Sequence, residues 1–381
     1  MKVKLVRVGV LVVWSLTALF VLSPMPAKAA LCGSAGSGNW SSGTTWHDCN
    51  GVGGIPGDGD PVTIASGDTV TVDTNTSNLS SLTVNGTLAV GNNGTGRTVT
   101  VNGDVSVANG GSLVAGSTAA THSMIIGGNL ANNGTFDGLP GAGRIVNVTF
   151  NGNGSWTISG SGATTRFNNI TLNLGSSIAN VLDVQAVITM ASDGLTLTNG
   201  TFKLSSASTI TPFSGTTTIG STAGFFLNHA GAVSNWGSTG SLIVEGALTI
   251  ANGTMTIGAA ADSRLEISGS ASNVQISGGT LNVTGRWQQI SGGSSNTLNI
   301  SGGTVNIATA GQAGNNTYAT FQVPSGNNFA MSGGTVAIKN ANLGDEGDLR
   351  ITNSSASITG GTFIIGNGGA TLGNIQIQST P

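Results

Sequence analysis

The sequence predicts an all-β chain wound as a parallel β-helix, a β-solenoid of coils about 20–31 residues long closed by an N-terminal cap. Three observations lead there. A short phrase recurs, as VNGTLAV at 84–90, LTNGTFKL at 197–204, IANGTMTI at 250–257 and ISGGTLNV at 276–283. It returns as ISGGTVNI at 300–307, MSGGTVAI at 331–338 and ITGGTFII at 358–365. Between the copies, runs such as Thr98-Val99-Thr100-Val101 and Asn374-Ile375-Gln376-Ile377 alternate apolar with polar residues, the period of a half-buried strand. The chain also holds 62 Gly against 8 Pro, and its Asn-Gly, Ser-Gly and Gly-Gly pairs suit tight turns that need positive φ.

The Thr that follows each Gly serves as a ruler. It stands at Thr87, Thr135, Thr201, Thr254, Thr280, Thr304, Thr335 and Thr362. The last four intervals are single steps. The longer early ones contain degenerate copies, at Ser112 in NGGSLV and Ser155 in NGSWTI. One coil of this kind cannot bury its apolar face, whereas stacked coils share a continuous core of Val, Ile and Leu. A propeller blade of about 40–45 residues is too long for these steps, and a β-sandwich has no need of one repeated Gly-Gly-Thr phrase. About 14 coils rising about 4.8 Å each give a stiff rod.

The chain divides into residues 1–29 as a signal peptide, 30–75 as a cap segment with a disulfide, and 76–381 as solenoid repeats. Lys2, Lys4 and Arg7 precede the apolar run Val8 to Leu22, and Ala27-Lys28-Ala29 offers a small-x-small cleavage site, the pattern of a secretory leader. No second apolar run of membrane length follows, so no integral membrane segment is expected after cleavage. The chain has 12 Lys and Arg against 15 Asp and Glu. Four of those bases lie in the leader, which leaves a net charge of about −7. Scattered and acidic, these charges exclude nucleic acid as a partner. Cys32 and Cys49 are expected to pair after export, a link over a short loop that stabilises by about 3 kcal/mol.

Residues 38–90 open with Trp40 and Trp46, pass through Pro56-Gly57-Asp58-Gly59-Asp60, and reach the strand Val62-Thr63-Ile64. This order resembles the start of many bacterial secreted β-helix proteins. The coils that follow resemble the passenger regions of surface adhesins and filamentous-haemagglutinin-like proteins. The resemblance implies a secreted or cell-surface structural and adhesive protein. Its partners would be glycans, host or cell-surface components, or further copies of itself. Trp40 and Trp46 are expected to lie over the first coil, because an open solenoid end exposes unpaired backbone and core. The last residues keep strand texture, so either the chain continues or the final coil is covered by another subunit or copy.

Chemistry is sparse. β-Helices also host polysaccharide lyases and hydrolases, and a secreted enzyme of that kind is the alternative reading. Lys203 and Lys339 are the only lysines after the leader, and stacking is expected to bring Asp183 and Asp193 under Lys203 if one face stays aligned. No Asp-Asp pair with Gly-His-Gly is present. Asp58, Asp60, Asp68 and Asp73 form an acid-rich patch that is a weak candidate for Ca²⁺, although turn aspartates more often cap backbone. Asp345, Glu346 and Asp348 read as a solvated loop. His47, His122 and His229 have no ligand or triad spacing. Trp156, Trp236, Trp287 and Tyr318 are single aromatics, expected in packing more than in sugar stacking. No catalytic residue and no cofactor is assigned.

Overall fold

The structure is a computed structural model that describes residues 31–237, 240–290, 295–311, 317–340, 347–352 and 355–366. The leader and the C-terminal strand texture at 374–377 lie outside the described residues. Among the described residues, apart from one short 3-10 turn, Gly43–Thr45, the regular structure is strand. The coils stack in parallel as a β-solenoid of about 12 turns, fewer than the repeat count suggests.

Each coil has three faces. The first face is continuous through the molecule. Its inward residues pair in one column: Cys32, Val62, Leu82, Val105, Leu130, Ile158, Val184, Leu204, Leu227, Ile250, Ile276, Ile300, Met331 and Ile358. Every member up to Met331 is at most 1% exposed. Steps along the column run from 20 residues (Val62 to Leu82) to 31 (Ile300 to Met331), the span the repeated phrase indicated. A strand residue that faces inward is followed by one that faces out, so the period-2 pattern fills the core and paints the surface at once.

The second face carries Thr69–Val72, Thr87–Val90, Ser112–Ala115, Thr135–Asp137 and Thr164–Phe167, with Leu88, Leu113 and Phe136 inward in register. The third face changes sheet part-way. Thr98–Val101, Ala120–Ile126, Arg144–Asn151 and Ile170–Asn173 lead to Leu195–Leu204. A separate six-stranded sheet then begins at Thr217–Ile219. Phe202, Phe225 and Trp236 pack together at this change, with centroids 5.9 Å (Phe202–Phe225) and 4.8 Å (Phe225–Trp236) apart.

The Gly-Gly-Thr phrase is a corner between the first and second faces. Its two glycines are required for different reasons. At Gly302 a Cβ would collide with the carbonyl of Ser277 in the coil below. Gly303 has φ +74°, a conformation that costs an L-residue about 1–2 kcal/mol. Beyond the corner, the outward Thr254, Thr280, Thr304, Thr335 and Thr362 stand in register, one per coil. Asparagines add rungs: Asn306 Nδ2 donates to Asn282 Oδ1 at 2.9 Å.

Three expectations are corrected by the register. Thr201 is not on the same column as the other ruler residues; it pairs on the first face with Val181 and Gly224. Gly200, at φ +88°, turns a third-to-first-face corner, and Asn-Gly chemistry serves any tight corner alike. Ser155 is not the copy that follows Thr135, because Thr135 pairs with Thr164. Pro61–Ile64 and Thr69–Val72, inside the 30–75 segment, already pair in register with Ser81–Val84 and Thr87–Val90, so solenoid winding begins ahead of residue 76.

His122 is a polar residue on an inward position of the third face, 1% exposed. Its Nδ1 accepts the Arg97 N–H at 3.0 Å, which places the ring proton on Nε2. Burial, and then the positive charge of Arg97, hold its pKa below the ordinary 6.5. The unfolded chain therefore takes up a proton that the folded chain refuses. The resulting stabilisation is complete above about pH 6.5 and is lost as pH falls through the lower folded value.

Two outcomes are expected. Gly303→Ala lowers stability by about 1–2 kcal/mol, read as a shift of the thermal midpoint, while Thr304→Ser stays within about 0.5 kcal/mol; equal effects would contradict the corner geometry. Between pH 7 and pH 5 the wild-type midpoint falls more than that of His122→Asn, which keeps an acceptor for Arg97; parallel curves would contradict a neutral buried His122.

Candidate functional site

The N-terminal end is built from cross-links between the first winding and the coil above it. Cys32–Ser34 extends the first face by pairing with Pro61–Ile64, and Gly38–Asn39 extends the second by pairing with Thr69–Val72. Trp46–His47 then runs antiparallel to Cys32–Ser34 on its free side. The Cys32–Cys49 disulfide, with Cα atoms 4.4 Å apart, ties the returning strand down. Trp40 and Trp46 are 1% and 5% exposed. Their rings meet edge to face at 4.7 Å, and Trp46 Nε1 donates to the Trp40 carbonyl at 2.9 Å.

The four candidate calcium aspartates do not converge. Asp58 Oδ1 accepts the Asn78 N–H at 2.8 Å. Asp60, fully buried, accepts from Asn50 N at 2.9 Å and Gly57 N at 2.8 Å. Asp68 accepts from the Ser34 hydroxyl. Asp73 accepts from Ser41 N at 3.0 Å and Ser41 Oγ at 2.6 Å. Each staples the first winding or its loop to the solenoid, as Asx turns do locally. The Asp60 carboxylate lies within 4.8 Å of the sulfurs of Cys32 and Cys49. Those sulfurs are bonded to one another and are not thiolate ligands.

Asp183 lies directly beneath Lys203 in the ladder, with Nζ 3.2 Å from Oδ2. Lys203 also lies 5.5 Å from the ring centre of Phe226. Burial raises the Asp183 pKa, but the nearby Ser205 hydroxyl, the hydrogen bonds from Gln185 and Lys203 and the charge of Lys203 outweigh it and the net shift is downward. Asp193 does not join them: it accepts from Ser214 N and Oγ, at 2.5 and 2.7 Å. That contact holds its pKa down. Asp183 and Lys203 thus form an ion pair across two coils.

His47 sits on the returning strand, His122 in the core and His229 at a corner where its Nδ1 accepts the Gly231 N–H at 3.0 Å. Among the described residues no histidine joins a metal-type cluster. Trp236 and Trp287 are core residues, 2% and 0% exposed, whereas Trp156 and Tyr318 are partly exposed. Lys339 donates its backbone N–H to the Ile307 carbonyl. Asp348 is not solvated: it is fully buried and accepts from Thr320 Oγ1 at 3.1 Å. The stacking of Leu349–Ile351 on Phe321–Val323 draws it in. Asp345 and Glu346 lie outside the described residues.

The outer surface of the second face carries a depression that no single motif announces. Two adjoining hollows of about 340 and 330 Å³ share Ala163 and together run along the solenoid axis from Asn109 to Thr189. Ser112, Thr135 and Thr164 form its floor in register. Two residues along, Asp137, Arg166 and Thr189 stack in the same way. Arg166 Nε and Nη2 donate to the two oxygens of Asp137 at 2.8 and 2.6 Å. This bond, set against burial, raises the Arg166 pKa. Val187, 63% exposed, closes the far end. The Asp137–Arg166 pair follows once Thr135 is known to stand opposite Thr164, a registry the Gly-Thr ruler did not contain.

A family model for the G8 domain matches residues 45–127. The matched span runs from the start of the returning strand, through the aspartate staples, to the end of Ala120–Ile126, and it takes in the near end of the groove. No curated protein and no solved structure matches the chain. Among the described residues no helix is long and apolar enough to cross a membrane. G8 domains are found in extracellular proteins, and the matched part of this chain is similar to them.

Proposed function

We propose that this chain is an exported extracellular or cell-surface protein with a structural and adhesive role, of the kind carried by adhesin passenger regions, and that it works without catalysis. The observation that carries the reading is the unbroken first-face column from Cys32 to Met331. Such a column makes a stiff rod, and a rod repeats weak polar contacts at fixed spacing, where they add through avidity. The G8 match, the disulfide and the Thr, Ser and Asn surface all suit an oxidising extracellular setting.

The N-terminal winding acts as the cap in this reading. Trp40 and Trp46 cover the core, and the antiparallel return occupies the free edge that would otherwise recruit another chain. Calcium has no structural part in it, since the aspartates are engaged with the backbone and with Ser34, Ser41 and Asn50. A secreted polysaccharide lyase or hydrolase is the second reading, favoured by the aligned Asp183–Lys203 pair.

Fractionation of the native host is expected to find the protein in the medium or on the envelope, with a mass lacking residues 1–29. A cytoplasmic, unprocessed product would contradict export. Incubation with a polysaccharide panel should release neither reducing nor unsaturated sugars; release that disappears in Lys203→Met would establish the enzymatic reading instead. Cys49→Ser and Trp40→Ala should each lower the thermal midpoint and increase aggregation. Unchanged solubility and melting in both would sink the cap assignment. EDTA should leave the midpoint in place.

A further inference from the structure

We infer that the groove on the second face, between Asn109 and Thr189, binds a neutral glycan chain laid along the solenoid axis. The inference rests on the adhesive reading above and names the ligand class of one site. Ser112, Thr135 and Thr164 present a hydroxyl per coil along the floor. Coils repeat at about 4.8 Å, so the floor offers a donor and acceptor at regular intervals to an extended hydroxyl-rich chain.

Charge decides against anionic and cationic ligands. The groove contains one acid and one base, Asp137 and Arg166, and they neutralise each other through two hydrogen bonds. Their fork is held in one plane, with acceptor oxygens beside donor nitrogens. Neighbouring hydroxyls of a sugar ring match such an arrangement. Val187 gives the apolar contact that the C–H face of a sugar needs, and it is one of few large apolar side chains left exposed. A peptide is disfavoured by the backbone. Ser112–Ala115, Thr135–Asp137 and Thr164–Phe167, the strands under most of the groove, are each paired with the coils on either side, so they offer no free edge for strand addition. Nucleic acid is disfavoured because no excess positive charge is present.

The test is affinity electrophoresis of the secreted protein in gels containing one polysaccharide each: a neutral β-glucan, a neutral mannan, a neutral galactan, a polyuronate or a sulfated dextran. Variants Thr164→Glu and Val187→Glu place a carboxylate in the groove at outward positions. Thr304→Glu places one on the outward Thr column further along the rod, outside the groove. Circular dichroism and melting establish that all three fold. The wild type should be retarded by at least one neutral polysaccharide. Both groove variants should weaken that retardation by about tenfold, a loss of about 1.4 kcal/mol, while Thr304→Glu does not.

Retardation only by the polyuronate or sulfated dextran would overturn the inference, as would retardation by a neutral polysaccharide that the groove variants leave unchanged. Absence of retardation by any neutral polysaccharide would also overturn it. If, in that case, sedimentation showed self-association abolished by Thr164→Glu, the groove would be a contact between copies and the adhesive reading would stand. Release of sugars from the gel would instead remove the adhesive reading itself.

Discussion

The rest of the structure depends on in-register parallel pairing between successive coils. Backbone N–H and C=O groups of one winding are satisfied by the windings above and below. The apolar face of one winding is covered only when its neighbours present theirs at the same height. The first-face column from Cys32 to Met331 is the visible result. A slip of one residue anywhere in it would turn the core outward. Length differences between coils are absorbed in the loops. The longest step of the column runs from Ile300 to Met331.

That constraint explains what is written on the surface. Where two windings approach closely at a corner, no Cβ fits, and glycine appears at Gly278, Gly302, Gly333 and Gly360. Where the corner needs positive φ, a second glycine follows, at Gly279, Gly303, Gly334 and Gly361. Thr and Asn stack into outward ladders because register puts like residues at like positions. The same stacking makes opposite charges meet, Asp137 with Arg166 and Asp183 with Lys203. Parallel pairing also leaves an edge at each end. At the N-terminal end it is met by reversing direction: Trp46–His47 runs antiparallel and is held by the disulfide.

The fold class, the coil length and the disulfide were legible in the sequence because each leaves a local mark: a period, a recurrent turn or a lone cysteine pair. Coil registry was legible only in part. Gly-Thr phrases mark corners, and the corner at Gly200 lies between different faces from the one at Gly303, so Thr201 misled the ruler. The groove was not legible. Asp137 and Arg166 are far apart in the chain and meet only when the lengths of the intervening loops are known. The burial of Asp348 escaped for the same reason. A polar residue in a loop reads as solvated until its partner, Thr320, is placed beside it.

The most direct measurement of this architecture is cross-linking between register partners. With Thr280 and Thr304 both replaced by cysteine, mild oxidation should join the two positions, because they face outward on adjacent coils and are directly paired. The one-residue offset, Thr280→Cys with Val305→Cys, should not cross-link, since Val305 faces the core. Formation of the first link without the second is the predicted result. Cross-linking of the offset pair, or of neither, would show that the coils are not stacked in this register.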